Sequence, residues 1–205
     1  MKAILYYVHD PMCSWCWGFS RVLSELVNNL PKEIEVRRLL GGLASDSDTP
    51  MPEAMKDEIK NNWLNIEEKI NGVKFNFDFW EKTIPRRSTY PACRAVIAAR
   101  QQGEKFDILM TKAIQHAYYK EARNPSDDST LIAIAKEVDL DTILFTKAYF
   151  SDIVNKKLMQ EIEKSRELYV QSYPSLILRK AKKFHNIQLD YNVPEVMLEQ
   201  IFSLV

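Results

Sequence analysis

The chain lacks the features that mark membrane, secreted and nucleic-acid-binding proteins. Its apolar N-terminal run, Ala3-Ile4-Leu5-Tyr6-Tyr7-Val8, is far shorter than the ~20 residues of a membrane span. It is also shorter than the roughly 7–15 residues of a signal-peptide core, so it reads as a first strand of a cytoplasmic protein. Neither charge is in excess: 28 basic and 28 acidic residues cancel, and no basic stripe interleaves with aromatics, so no nucleic acid is expected as partner. The one basic cluster, Lys180, Lys182 and Lys183, reads as a solvated turn. Three cysteines are too few for a disulfide framework, and no repeat or low-complexity segment occurs. What remains is an ordinary globular composition, 46% hydrophobic and 27% charged, in a chain long enough for one domain or one domain with an insertion.

Hydrophobic periodicity orders the elements. The first strand breaks at Asp10-Pro11, and Phe19, Val22, Leu23, Leu26, Val27 and Leu30 then recur on one helical face. Ile34, Val36 and Leu39-Leu40 suggest a second strand, parallel to the first through a right-handed crossover. After Gly41-Gly42 and the polar loop 45–50, about a hundred residues read as helices. One is marked by Met55, Ile59, Trp63, Ile66 and Ile70, and an aromatic segment, Phe75 to Trp80, follows it. Further helices run from Tyr90 to Gln102, through Phe106, Leu109, Met110, Ala113, Ile114 and Ala117, from Leu131 to Val138 and from Leu140 to Phe150. Ser151 is placed to cap a last long helix that turns Val154, Leu158, Ile162, Ser165 and Tyr169 inward. Strand pattern returns at 175–179 and 184–189 as a hairpin whose turn lacks glycine and asparagine. A final helix opens at Pro194 with Met197, Leu198, Ile201 and Phe202 for packing. The layout is an α/β frame, 1–45 and 151–205, around an inserted helical domain, 46–150.

The chemistry concentrates at Cys13-Ser14-Trp15-Cys16, where the strand ends and the helix begins. Free amides and the helix dipole at such an end stabilise negative charge. A thiolate at Cys13 is therefore favoured, with a pKa expected in the roughly 3.5–7.5 range of such motifs. Cys16, three residues on, lies near the same face and within reach of a disulfide. Exposure at the helix end marks Cys13 as the attacking sulfur and Cys16 as the resolving one. Trp15 offers an apolar platform for substrate or packs against the insertion. Asp10 could accept the Cys16 proton or simply form the turn before Pro11. His9, His116 and His185 read as structural or solvated, and Cys93 as a buried hydrophobe with a third redox thiol as the competing role.

Three motifs carry a resemblance: Asp10-Pro11-Met12-Cys13-Ser14-Trp15-Cys16-Trp17-Gly18-Phe19, Leu40-Gly41-Gly42-Leu43-Ala44 with Asp46-Ser47-Asp48, and Tyr173-Pro174-Ser175-Leu176. With them the chain resembles the DsbA family of thioredoxin-fold thiol-disulfide oxidoreductases, in its FrnE-like branch of protein-disulfide isomerases. The resemblance implies a mixed-sheet thioredoxin fold with a DsbA-like helical insertion. It also implies a cis-Pro174 loop that lies against the dithiol, with Tyr173 offering backbone groups to a bound peptide. The implied partners are protein thiols and disulfides, with glutathione or thioredoxin as electron partner, and no cofactor or metal is called for. Two other readings stand beside it. Kappa-class glutathione transferases and 2-hydroxychromene-2-carboxylate isomerases are similar but carry serine at the place of Cys13. A zinc site would need two further ligands beside the C-x-x-C pair.

Overall fold

The computed structural model describes residues 3–205. Strand β1 (Ala3–His9) leads into helix α1 (Ser14–Asn28) and strand β2 (Ile34–Leu40), and β1 and β2 pair in parallel with Ala3 opposite Ile34 and His9 opposite Leu40. The late hairpin β3 (Ser175–Lys180) and β4 (Lys183–Ile187) joins antiparallel on the other side of β1, which gives the order β2-β1-β3-β4. Its two-residue turn works because Ala181 itself adopts the left-handed conformation, with φ of 55°. That conformation costs an alanine more than the glycine or asparagine usual there.

Between β2 and β3 run the helices α2 (Glu53–Lys69), α3 (Phe79–Lys82), α4 (Tyr90–Arg100), α5 (Lys105–Tyr119), α6 (Asp128–Glu137), α7 (Thr142–Tyr149) and α8 (Asp152–Glu167), and α9 (Pro194–Leu204) closes the chain. Two of these helices carry side-chain caps, of which the one at Ser151 is expected from the sequence. Ser151 accepts a hydrogen bond from the Val154 amide at the start of α8, and Asp141 accepts from the Ile143 and Leu144 amides. The Asp141 cap starts α7 at Thr142, two residues later than the apolar pattern predicts.

The apolar faces pack into two main cores. Leu5, Tyr7, Leu176 and Leu178 on one face of the sheet meet Phe19, Val22 and Leu26 of α1 and Met197 and Ile201 of α9. The helical core gathers around Trp63, whose ring has Phe75, Phe77, Phe79, Trp80, Tyr118 and Tyr119 for neighbours. It extends through Val154, Leu158 and Ile162 of α8 to Leu40 of the sheet and Met12 beside the dithiol.

Three expected core residues are instead exposed. Leu109 is on the outer face of α5, Phe202 of α9 is half exposed, and Tyr169 is 88% exposed. In each case the apolar stripe is narrower than the pattern. Tyr169 also lies beyond the end of α8, in a left-handed residue (φ 57°) that turns the chain away.

Charge reinforces the junction of the two cores. Asp107 of α5 is held by Arg38 of β2 and Arg100 of α4, and Arg100 also pairs with Glu161 of α8. Glu161 in turn accepts a hydrogen bond from the Leu40 amide at 2.7 Å. All four side chains are largely buried, so removal of one partner strands another charge, at a cost of about 3–5 kcal/mol.

His9, at the end of β1, is fully buried, stacked on Tyr7 at 4.7 Å, and neither ring nitrogen has a hydrogen-bond partner among the described residues. Burial first, then the Arg38 and Arg100 guanidinium groups, hold its pKa well below the ordinary histidine value. The unfolded chain therefore binds a proton at His9 that the folded chain refuses, and stability falls as pH drops below about 6.5. We predict that His9→Phe removes part of this acid sensitivity. Urea midpoints compared between neutral and mildly acidic pH should differ less for the variant than for the parent, and an unchanged difference would refute the assignment.

Candidate active site

The turn that delivers the dithiol is built on Asp10. Its carboxylate accepts from the Met12 amide at 2.8 Å, the Leu43 amide at 2.7 Å, the Thr89 hydroxyl at 2.6 Å and the Cys93 thiol at 3.4 Å. These partners come from the 10–13 turn, the loop after β2 and the start of α4, so one buried carboxylate ties three segments together. Burial raises the Asp10 pKa, and the four hydrogen bonds oppose that rise. Among the described residues the carboxylate makes no hydrogen bond to Cys16, although its charge adds to the rise in the Cys16 pKa. Thr89 and the Cys93 contact carried no recognisable signal in the sequence, because their partner is about eighty residues away.

Cys13 is the N-cap of α1, with φ −80° and ψ 118°. Its Sγ accepts from the Cys16 amide at 3.3 Å, and no acidic residue occupies the first helical turn. This end of the helix carries its free amides and the positive end of its dipole. On its other side, Cys13 Sγ donates to the Tyr173 carbonyl at 3.4 Å. The thiol form makes both contacts, and the thiolate keeps only the amide. The cysteines are free, so the pair is a reduced dithiol.

Cys13 is less open than a helix end suggests, at 6% exposure. The Tyr173 loop lies across it, and the sulfur is reached through a cleft. Cys13, Ser14 and Trp15 line that cleft together with Met12, Met51, Met55, Ile59, Arg87, Tyr118 and Tyr173, whereas Cys16 does not. The cleft holds about 390 Å³. Cys16 is fully buried, and its pKa is raised well above the usual thiol value. Burial is the main cause, the Cys13 sulfur adds to it, and the backbone of Asp10 pulls it partly back.

Trp15 is half-buried, packed edge-on to Tyr191 at 5.3 Å and against the helical core, while it also lines the cleft. The platform and packing roles therefore coincide in one ring. Trp17 stacks on Tyr119, whose hydroxyl donates to the Met12 carbonyl at 2.7 Å. His116 is exposed beside Glu121, and His185 sits in β4 opposite Leu178. Cys93 is fully buried with its pKa raised by burial and by the Asp10 charge. Among the described residues no three His, Cys, Asp or Glu side chains are grouped to hold a metal ion.

The Tyr173–Pro174 peptide is cis. The Tyr173 ring reaches back to β2, where its hydroxyl donates to the Gly41 carbonyl at 2.8 Å. A Cβ on Gly41 would lie 2.0 Å from the Tyr173 ring, and one on Gly42 (φ 64°) 2.5 Å from Ile162. Gly41 is therefore the seat of the loop that faces Cys13, while Gly42 makes room for Ile162 of α8.

With this geometry in view, comparison with known proteins is informative. The thioredoxin family model matches residues 6–196. The chain belongs to that family. Among solved structures, a candidate protein disulfide isomerase from Nitrosomonas europaea superposes with a TM-score of 0.85, at 24% identity, over 99% of this chain and 97% of that one. The cytosolic disulfide reductase DsbM from Pseudomonas aeruginosa gives 0.77 at 21% identity, over 98% and 100%. These likenesses show a DsbA-like thioredoxin fold. Among curated relatives, the ClpXP adapter protein SpxH of Bacillus subtilis is 26% identical over 174 residues, 84% of this chain and 56% of SpxH. The chain thus spans little more than half the length of the curated relatives it matches.

We predict that Gly41→Ala expels the Tyr173 ring, with a loss of about 1–3 kcal/mol from overpacking. The double variant Gly41→Ala, Tyr173→Ala should recover part of that loss in urea unfolding. Equal stabilities for the two variants would show that the ring is not what occupies the space.

Proposed function

We propose that the protein is a thiol-disulfide oxidoreductase in which Cys13 attacks and Cys16 resolves. The supporting observation is the position of Cys13 Sγ, at the amide end of α1, facing the Tyr173 carbonyl and lining the cleft that Cys16 does not reach. The Cys13 thiolate attacks one sulfur of a substrate disulfide, forms a mixed disulfide and releases the other sulfur as a thiolate. The Cys16 thiolate then attacks Cys13 Sγ, which frees the second substrate thiolate and leaves Cys13–Cys16 oxidised. The substrate gains two electrons, and an external thiol such as glutathione or thioredoxin returns them.

Substrate binds along the cleft. Its backbone meets that of Tyr173 beside Pro174, its apolar side chains rest on Trp15 and the methionines, and Met12, Met51 and Met55 adapt to varied shapes. Because Cys16 is a poor acid where it sits, its proton needs an acceptor, and buried Asp10 takes that role. The working site is the cytoplasm, where the thiol pool keeps dithiols reduced and favours reductase or isomerase turnover over net oxidation.

Cys13→Ser is expected to abolish insulin reduction, and Cys16→Ser to accumulate a mixed disulfide through Cys13. Mass mapping that placed the trapped substrate on Cys93, or trapped none, would overturn the roles. In Asp10→Asn the resolving step should slow by about a hundredfold, at the low end for a positioned proton acceptor. It should also regain rate as pH rises and Cys16 ionises unaided. An unaltered pH profile in stopped-flow measurement would remove Asp10 from the reaction.

A second reading, in which the protein acts as an adapter, draws on the relatives named ClpXP adapter protein SpxH. The two readings separate in a Cys13→Ser, Cys16→Ser double variant, since an adapter keeps its cellular effect without the dithiol and an exchange enzyme loses it.

A further inference from the structure

Cys16 is shut off from the substrate cleft, yet it lines a second cavity. This cavity, about 360 Å³, lies between α1, the β1–β2 strands and α5. Cys16 and Tyr7 form its inner end, and Leu23, Val27, Val36 and Ile108 make apolar walls. Its polar groups come from two helices, Ser20, Ser24 and Asn28 of α1 and Thr111, Lys112 and Gln115 of α5, with Arg38 of β2 between them. Arg38 is already engaged by Asp107 and by the Thr111 hydroxyl oxygen at 3.4 Å.

Gln115 is different. It is 3% exposed, and its carboxamide makes no hydrogen bond to the described residues. That leaves its carboxamide free to hydrogen-bond a molecule held in the cavity. One turn away along the same helix, Lys112 is exposed with no ion pair among the described residues. A mostly apolar cavity with a few convergent polar groups is the usual form of a small-molecule site.

We propose that this cavity binds a small amphipathic carboxylate. Its apolar body lies against Leu23, Val27, Val36 and Ile108, and its carboxylate accepts from the Gln115 amide and faces the Lys112 ammonium. A neutral amphiphile satisfies the walls but leaves Lys112 unused, and a small hydrophilic anion satisfies Lys112 but leaves the walls empty, so the combination sets the class. The bound molecule would sit against the resolving cysteine from the side opposite the substrate, a role separate from the exchange chemistry.

The test is calorimetric titration of the reduced protein with octanoate, with octanol as the uncharged control and glutathione as the hydrophilic one. Octanoate should saturate a single site and glutathione should not compete for it. Octanol should bind about fivefold more weakly, the scale of one exposed ion pair. Lys112→Glu should weaken octanoate by about fivefold or more and leave octanol unchanged, and Val27→Trp should fill the cavity and abolish both. Neither side chain belongs to the exchange machinery, so ligand-free insulin reduction by both variants should match the parent. Absence of saturable octanoate binding, equal affinity for octanol, competition by glutathione, or octanoate binding that survives Val27→Trp would each overturn the proposal.

Discussion

One buried carboxylate holds this site in shape. Asp10 receives four donors from the 10–13 turn, the loop after β2 and the start of α4. Burying such a group without partners would be costly, and its partners are the segments that must meet for Cys13 to cap α1 below the cleft. The same atom set therefore fixes the turn, docks the loop that follows Gly41-Gly42 and anchors the helix that carries Cys93. The oxygens that organise the turn also lie near enough to Cys16 to influence its ionisation. Structure and reactivity are in that sense one constraint.

Around this knot the molecule keeps its two cores in register by different means. Apolar burial joins the sheet to α1 and α9, whereas the sheet and the helices between β2 and β3 meet at the Arg38–Asp107–Arg100–Glu161 network as well as through Leu40 and α8. Ion pairs at a junction specify geometry more than they add stability. Arg38 also lies over the Tyr7 ring at 5.2 Å, and Tyr7 in turn stacks on His9. The network thus reaches the layer beneath α1 in which Cys16 is buried.

Much of this was legible in the sequence where neighbours in space are neighbours in the chain. The crossover β1–α1–β2, the cap at Ser151, and the position of Cys13 at the start of α1 follow from local pattern, whereas the Asp141 cap is not read from it. The strand after Tyr173-Pro174 and the late hairpin followed too, although Ala181 supplied the turn in place of glycine. What local pattern could not give was distance: the Thr89 and Cys93 contacts to Asp10, the Tyr173 ring seated on Gly41, and the loop that lowers the exposure of Cys13. Periodicity also overstated burial at Leu109, Tyr169 and Phe202, because an apolar residue at the right spacing still needs a partner surface. The second cavity left no trace in the sequence, since its walls come from α1, β2 and α5, each of which reads as ordinary core.

The central claim is that α1 presents Cys13, and not Cys16 or Cys93, to the substrate. Brief alkylation of the native, fully reduced protein with substoichiometric iodoacetamide, followed by peptide mapping, tests it most directly. The account predicts label on Cys13, with Cys16 and Cys93 modified only after denaturation. Label appearing first on Cys16 would contradict it.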